Sequence, residues 1–284
     1  MNVQQSLVLG VIQGLTEFLP VSSTAHLILA PQLFPIAEPR AEIAHTYDTF
    51  IQIGTVFPVL IYFWREWLGL LRAAGRIISR RKVGADPDER MLQYLLLGSI
   101  PAGVIGLAVE KQVEKLADPA FQPRFLLIGL ALIVLGLVMW WADANGRKHR
   151  TLEHLRLPDA LIIGFAQALA LFPGVSRSGA TITAGLFAGF TREDAARFSF
   201  LLMTPIMIVA TAYKGLKMLK GVEPLTSGEW SSLLLTTVIA AISGYMAIAF
   251  LLRTLRKWPL AWYAWYRIVI GLFAVGLYFN TVTP

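Results

Sequence analysis

The sequence predicts an all-α integral membrane protein. The expected form is a polytopic helical bundle of about six full spans plus two re-entrant helical hairpins in inverted-topology repeats. Three observations predict it. The first is composition: 56% of the 284 residues are hydrophobic and 15% charged, where soluble domains average ~45–50% and ~25%. Mean hydropathy is +0.60. The second is six stretches without Asp, Glu, Lys or Arg, at 49–64, 91–109, 125–142, 198–213, 230–252 and 268–284. The third is a pair of apolar regions, 3–33 and 158–190, each broken by Pro, Gly or Ser. Together these exclude a disordered chain, a collagen-like chain and an ordinary cytosolic enzyme.

Each element has its own justification. A spanning helix needs ~20 mostly apolar residues, and the six uncharged stretches supply such cores. Trp64, Trp140, Trp141, Tyr213, Trp230 and the run from Trp258 to Tyr266 fall at several ends, as interfacial aromatics do. The two broken regions do not fit simple spans. Non-helical backbone at membrane depth persists only inside protein or along a wet cavity, so each is read as a helix–break–helix hairpin. The N-terminus MNVQQSLVLG has no basic n-region, so the first apolar segment is expected in the mature fold. The chain has no cysteine, which removes disulfides, thiolate metal sites and Cys nucleophiles.

The two hairpins align without gaps at an offset of 154. GVIQGLTEFLPVSSTAH (10–26) matches GFAQALALFPGVSRSGA (164–180) at Gly10/Gly164, Gln13/Gln167, Leu15/Leu169, Phe18/Phe172, Val21/Val175 and Ser22/Ser176. The expected organisation is one transmembrane domain over 1–284. Repeat 1 covers about 1–142 and repeat 2 about 158–284, with basic cytoplasmic loops at 65–90 and 143–157.

The net charge of +7 would point to nucleic acid in a soluble protein; here it reads as topology. Sixteen Lys and Arg cluster at 65–90, at 143–157, at Arg192 and Arg197, and at Arg253, Arg256 and Lys257. The other side then holds seven: Arg40, Lys111, Lys115, Arg124, Lys214, Lys217 and Lys220. With the sixteen cytoplasmic, hairpin 2 enters from the cytoplasm and hairpin 1 from outside. That inverted arrangement puts a polar site near the midplane.

Arg177, Arg267, Glu17 and His26 lie inside apolar stretches, where an ionisable group marks function by default. Hairpin 1 offers Glu17, Ser22, Ser23 and His26. Hairpin 2 offers Ser176, Arg177, Ser178 and Thr181. Arg177 presents a fork of donors for phosphate oxygens. The helix resuming near Ser178 adds its positive end. A carboxylate, a hydroxyl and an imidazole are the residue types for a nucleophile, its base and a metal ligand. The bland account makes single hydroxyls, Gln13 and Gln167 interhelical glue, Pro20 and Pro173 kinks, and Glu17–Arg177 a structural ion pair. It weakens for the combination at two register-matched breaks. Arg267 is read equally as a second phosphate contact or a snorkelling residue. Asp48 and Gln52 lie near a helix start, where an acidic residue can simply favour the dipole.

QGLTEFLPVSSTAH and PGVSRSGATIT resemble the paired motifs of the bacterial undecaprenyl-diphosphate phosphatase family, also called bacitracin-resistance proteins. The resemblance covers nearly the whole chain. It implies hydrolysis of undecaprenyl diphosphate to the monophosphate, which recycles the lipid carrier for cell-wall glycans, and a need for a divalent cation, Mg²⁺ or Ca²⁺. Glu17, Ser23 and His26 match its first motif, and Ser176, Arg177 and Thr181 its second; Ser23 is the candidate nucleophile with His26 as base or acid, and a water activated by His26 and Glu17 is the alternative. Many members carry Glu where this chain has Gln13, which moves weight onto Glu17 as the metal and catalytic carboxylate. Gln13, Gln167 and Arg267 are supporting residues, and Ser22 and Ser178 join the phosphate site. The expected partners are the lipid substrate and membrane lipid, with no nucleic acid. The family is often dimeric, which allows a homodimer. The expected location is the bacterial cytoplasmic (inner) membrane, with a site opening outward. The other membrane lipid phosphatase pattern, Ser-Arg, five residues, then His, is not met: that position is Thr183. The rival reading is a transporter or flippase of an anionic prenyl lipid.

Overall fold

The computed structural model describes residues 3–34, 41–118, 120–121, 123–218 and 225–282. Side chains of 41–46, 48, 114, 117, 214, 217–218 and 282 lie outside that description. Asp48 is therefore not placed. On the side opposite the basic clusters, only Lys111, Lys115 and Arg124 have described side chains.

The described residues form eleven α-helices and one short 3-10 turn. α1 (Val3–Phe18) and α2 (Ser23–Leu33) make the first hairpin. They are followed by α3 (Ala41–Tyr62), α4 (Trp64–Arg80), α5 (Pro87–Ala117) and α6 (Arg124–Asn145). α7 (Leu157–Leu169) and α8 (Arg177–Phe187) make the second. α9 (Arg192–Met218), α10 (Ser227–Leu255) and α11 (Ala261–Val282) complete the bundle. Five helices are long and apolar enough to cross a membrane: Pro87–Val113, Arg124–Asn145, Arg192–Tyr213, Ser227–Leu255 and Ala261–Thr281. The sixth expected span falls in α3, whose fully described apolar part is Thr49–Tyr62.

Small residues set the tightest crossings. α1 lies on α10, where a β-carbon on Gly14 would stand 2.4 Å from the Ala240 carbonyl oxygen. Ser243 Oγ donates to the Gly10 carbonyl at 3.1 Å. α7 lies on α5, where a β-carbon on Gly164 would meet the Gly98 carbonyl oxygen at 2.0 Å. α6 and α11 cross at Gly129 and Gly271, where a β-carbon on either would stand 2.7 Å from the other's carbonyl oxygen. Without a hydrophobic force between helices in lipid, close backbone approach supplies the packing. Gly164→Ala must push α7 off α5, so it is expected to cost about 1–3 kcal/mol. A thermal melt in detergent, several degrees below wild type, checks this.

The basic clusters converge on one face. Arg197 pairs with Glu66 at 2.5 Å, Arg192 with Asp143 at 2.5 Å and Arg256 with Glu193 at 2.7 Å. One expectation is corrected here. The 65–90 segment is not simply a loop, because 64–80 is helical. Trp67, Leu70, Ala73 and Ile77 recur at helical spacing and turn inward, while the charges between them hide that period. Beyond it, Asp86 caps α5 by accepting from the Asp88 N–H at 2.9 Å. Buried Glu89 accepts from Arg76 Nε at 2.9 Å, from Arg80 and from the Gly84 N–H at 2.7 Å.

Candidate active site

The two hairpin breaks are built alike. Ser22 caps α2 at φ 76° and Ser176 caps α8 at φ 66°, both left-handed. Each serine hydroxyl accepts a first-turn N–H, from Ala25 at 3.4 Å and from Gly179 at 3.2 Å. Two strained non-glycine residues at matched positions mark where surroundings over-determine the backbone. The first residue of each resumed helix is then Ser23 in one hairpin and Arg177 in the other.

Both helix starts border a cavity of about 280 Å³ lined by Gln13, Thr16, Glu17, Ser22, Ser23, Thr24, Leu27, Ile28, Ile51, Gln52, Ala170, Phe172, Ser176 and Arg177. Glu17 is the one carboxylate on that wall among the described residues. Its Oε2 accepts from Ser23 Oγ at 2.6 Å and from Gln13 Nε2 at 3.2 Å. Its Oε1 lies 3.9 Å from Arg177 Nη2. A carboxylate, a hydroxyl donating to it and an opposing guanidinium thus meet at two helix N-termini. Such ends favour anions.

The other expected site residues are placed differently. His26 does not line the cavity. Its Nδ1 lies 2.8 Å from the Ser22 carbonyl and its Nε2 2.8 Å from Tyr266 Oη, with the rings parallel at 5.6 Å. The side chain beside Ser23 Oγ is the Glu17 carboxylate rather than the His26 imidazole. Ser178 and Thr181 are fully buried. Ser178 Oγ donates to the Leu19 carbonyl at 3.1 Å, bridging the hairpins. Thr181 Oγ1 donates to the Arg177 carbonyl at 2.8 Å and meets Ser199 Oγ at 2.5 Å. Both support the loop rather than face the cavity.

Arg267 is neither a cavity residue nor a snorkelling one. It is 1% exposed. Nη1 donates to the Pro20 carbonyl at 3.2 Å, and Nη2 to the Gly174 and Val175 carbonyls at 3.0 and 3.2 Å. It ties the two breaks together through carbonyls their helices leave free. Gln52 and Thr24 join the site, as does Tyr266 behind it. Gln52 was expected near a helix start, but α3 begins at Ala41, so it sits mid-helix and reaches the cavity from there.

Gln167 matches Gln13 in register but not in contacts. Leu171 stands where Glu17 stands in the first hairpin, and both Gln167 amide atoms are buried without a hydrogen-bond partner among the described residues. A buried unsatisfied polar group costs about 1–3 kcal/mol. Gln167→Met is therefore expected to raise the melting temperature and leave turnover unchanged; a lower melting temperature would contradict the unpaired assignment.

Residues 6–273 match the bacitracin resistance protein BacA family. An undecaprenyl-diphosphatase of Pelotomaculum thermopropionicum is 41% identical over 278 residues, 98% of this chain and 97% of its own. One of Thermomicrobium roseum is 42% identical over 275 residues, 96% of each chain. One of Geobacter sulfurreducens is 40% identical over 271 residues, 95% of this chain and 96% of its own. A match along nearly the whole length, through both hairpins and the cavity between them, means that the chain belongs to the BacA family.

Proposed function

We propose that this chain is an integral membrane phosphatase that hydrolyses undecaprenyl diphosphate to undecaprenyl phosphate and inorganic phosphate. One observation carries the reading: Ser23 Oγ donates to Glu17 Oε2 at 2.6 Å, across a small cavity from Arg177. Transport needs charge complementarity, but it does not need a hydroxyl paired with a base.

The chemistry follows from the pairing. The terminal phosphate lies between Arg177 and the N-termini of α2 and α8, with Ser22 and Ser176 hydroxyls beside it. Ser23 Oγ attacks the terminal phosphorus while its proton passes to Glu17. The bond to the bridging oxygen breaks, and undecaprenyl phosphate leaves with that electron pair. Water then attacks the phosphoserine, one of its protons passing to a phosphoryl oxygen, the bond from phosphorus to Ser23 Oγ breaks, and inorganic phosphate departs. Ser23 recovers its proton from Glu17. Arg177 and the freed N–H groups offset charge on the transferring phosphoryl group.

Mg²⁺ suits this wall better than Ca²⁺. It is commonly held by one or two carboxylates together with substrate phosphates, and Glu17, on a wall that also carries Gln13 and Gln52, provides that kind of donor set. When bound, the ion would neutralise phosphate charge.

The biological reading extends from this. Recycling of the carrier for peptidoglycan and other cell-wall glycans would confer bacitracin resistance. The two halves are read as inverted repeats, supported by the matched Ser22 and Ser176 caps and by α1 on α10 mirrored by α7 on α5. The basic face is assigned to the cytoplasm of a bacterial inner membrane. Gln52 lies about 15 Å along α3 from that face, near the middle of a ~30 Å core, and the opening is assigned to the outward side. A homodimer is compatible with this placement.

Purified protein in detergent should release phosphate from undecaprenyl diphosphate without a bilayer. No release, together with lipid translocation in liposomes, would favour a transporter instead.

A further inference from the structure

α4 does not span. It begins two residues after α3 ends at Tyr62 and packs on α5, whose first turn stands at the same face. Glu66 ties it to Arg197 at the start of α9. The helix therefore runs along the membrane surface across the ends of its neighbours. Its outward face carries Trp64, Leu68, Leu71, Gly75 and Ile78, spaced four, three, four and three, so they form one stripe. Trp64 is 53% exposed, Leu71 67% and Ile78 76%.

The charges beside that stripe are one-sided. Residues 64–82 hold six basic side chains and one acidic. Arg76 and Arg80 are engaged by buried Glu89 and Glu66 by Arg197. Arg72, Arg81 and Lys82 are exposed and make no ion pair among the described residues, and the Arg65 guanidinium sits over the Trp64 ring at 5.3 Å. An apolar stripe edged by free cations matches acyl chains under anionic headgroups. A second copy of the same helix would bring cations against cations.

We propose that α4 is a docking surface for anionic phospholipid, with the stripe in the acyl layer and Arg65, Arg72, Arg81 and Lys82 on the lipid phosphates. This goes beyond the phosphatase reading and does not depend on it.

The cysteine-free chain allows a direct test. L71C carries a single bimane label in vesicles of phosphatidylcholine and phosphatidylglycerol, one or the other with brominated chains. Brominated phosphatidylglycerol should quench several-fold beyond its mole fraction at low salt. That preference should vanish in an added R65Q/R72Q/R81Q/K82Q background. It should also fall for the original charges at about 1 M salt, where screening is within about 3 Å, so a poorly folding quadruple variant does not end the test. Equal quenching by the two lipids, or no quenching because water or a second copy covers the stripe, overturns the proposal.

Discussion

Replacing Glu17 by Gln is expected to reduce kcat by about 10²–10⁴-fold, the range for a positioned general base, with much smaller change in KM. The change is isosteric. Its amide oxygen can still accept from Ser23 Oγ, at 2.6 Å in the unsubstituted site, so packing persists. What is lost is the capacity to take the proton. The Gln13 donor to the same carboxylate oxygen remains as a neutral neighbour. Phosphate release at saturating substrate measures the effect, and kcat within a few-fold of wild type would remove Glu17 as the base. His26→Ala serves as the contrast: its imidazole faces Tyr266 and the Ser22 carbonyl, so its loss acts through the α2 cap.

Arg177→Ala is expected to abolish detectable turnover while the fold persists. Its side chain is 30% exposed, and among the described residues its ion pair is the 3.9 Å contact with Glu17. Little packing depends on it. Removing one preorganised donor to a reacting group costs about 10²–10³ in kcat, and here a full charge goes with it. Arg177→Lys should restore only part of the rate, because an ammonium keeps the charge but not the two-pronged geometry. Parallel melting curves and phosphate release separate the outcomes. Near wild-type activity in Arg177→Ala would contradict the site.

Much of this was legible in the sequence, for a physical reason. Charges inside apolar stretches are rare enough to stand out, so Glu17 and Arg177 could be brought together before any geometry was known. Register-matched Ser22 and Ser176 likewise pointed to two like breaks, and both are left-handed caps. Side-chain direction was not legible. Ser178 and Thr181 sit within a turn of Arg177, yet a helix turns them inward to carbonyls and Ser199. His26 lies three residues beyond Ser23, and α2 carries it around to α11. Arg267 was visible as an intramembrane charge, but its carbonyl partners come from loops distant in sequence. α4 was hidden differently: its basic residues dominate the composition, so periodicity alone could have shown it.

The central claim is that a diphosphate binds between the two breaks. A single thiol in the otherwise cysteine-free chain tests it most directly. Thr24, exposed on the cavity wall, becomes the probe as Thr24→Cys. The account predicts that a non-cleavable prenyl methylenediphosphonate slows maleimide labelling of that thiol at least tenfold, and that the protection disappears when Arg177→Ala is added. Labelling at the same rate with and without the analogue would contradict it.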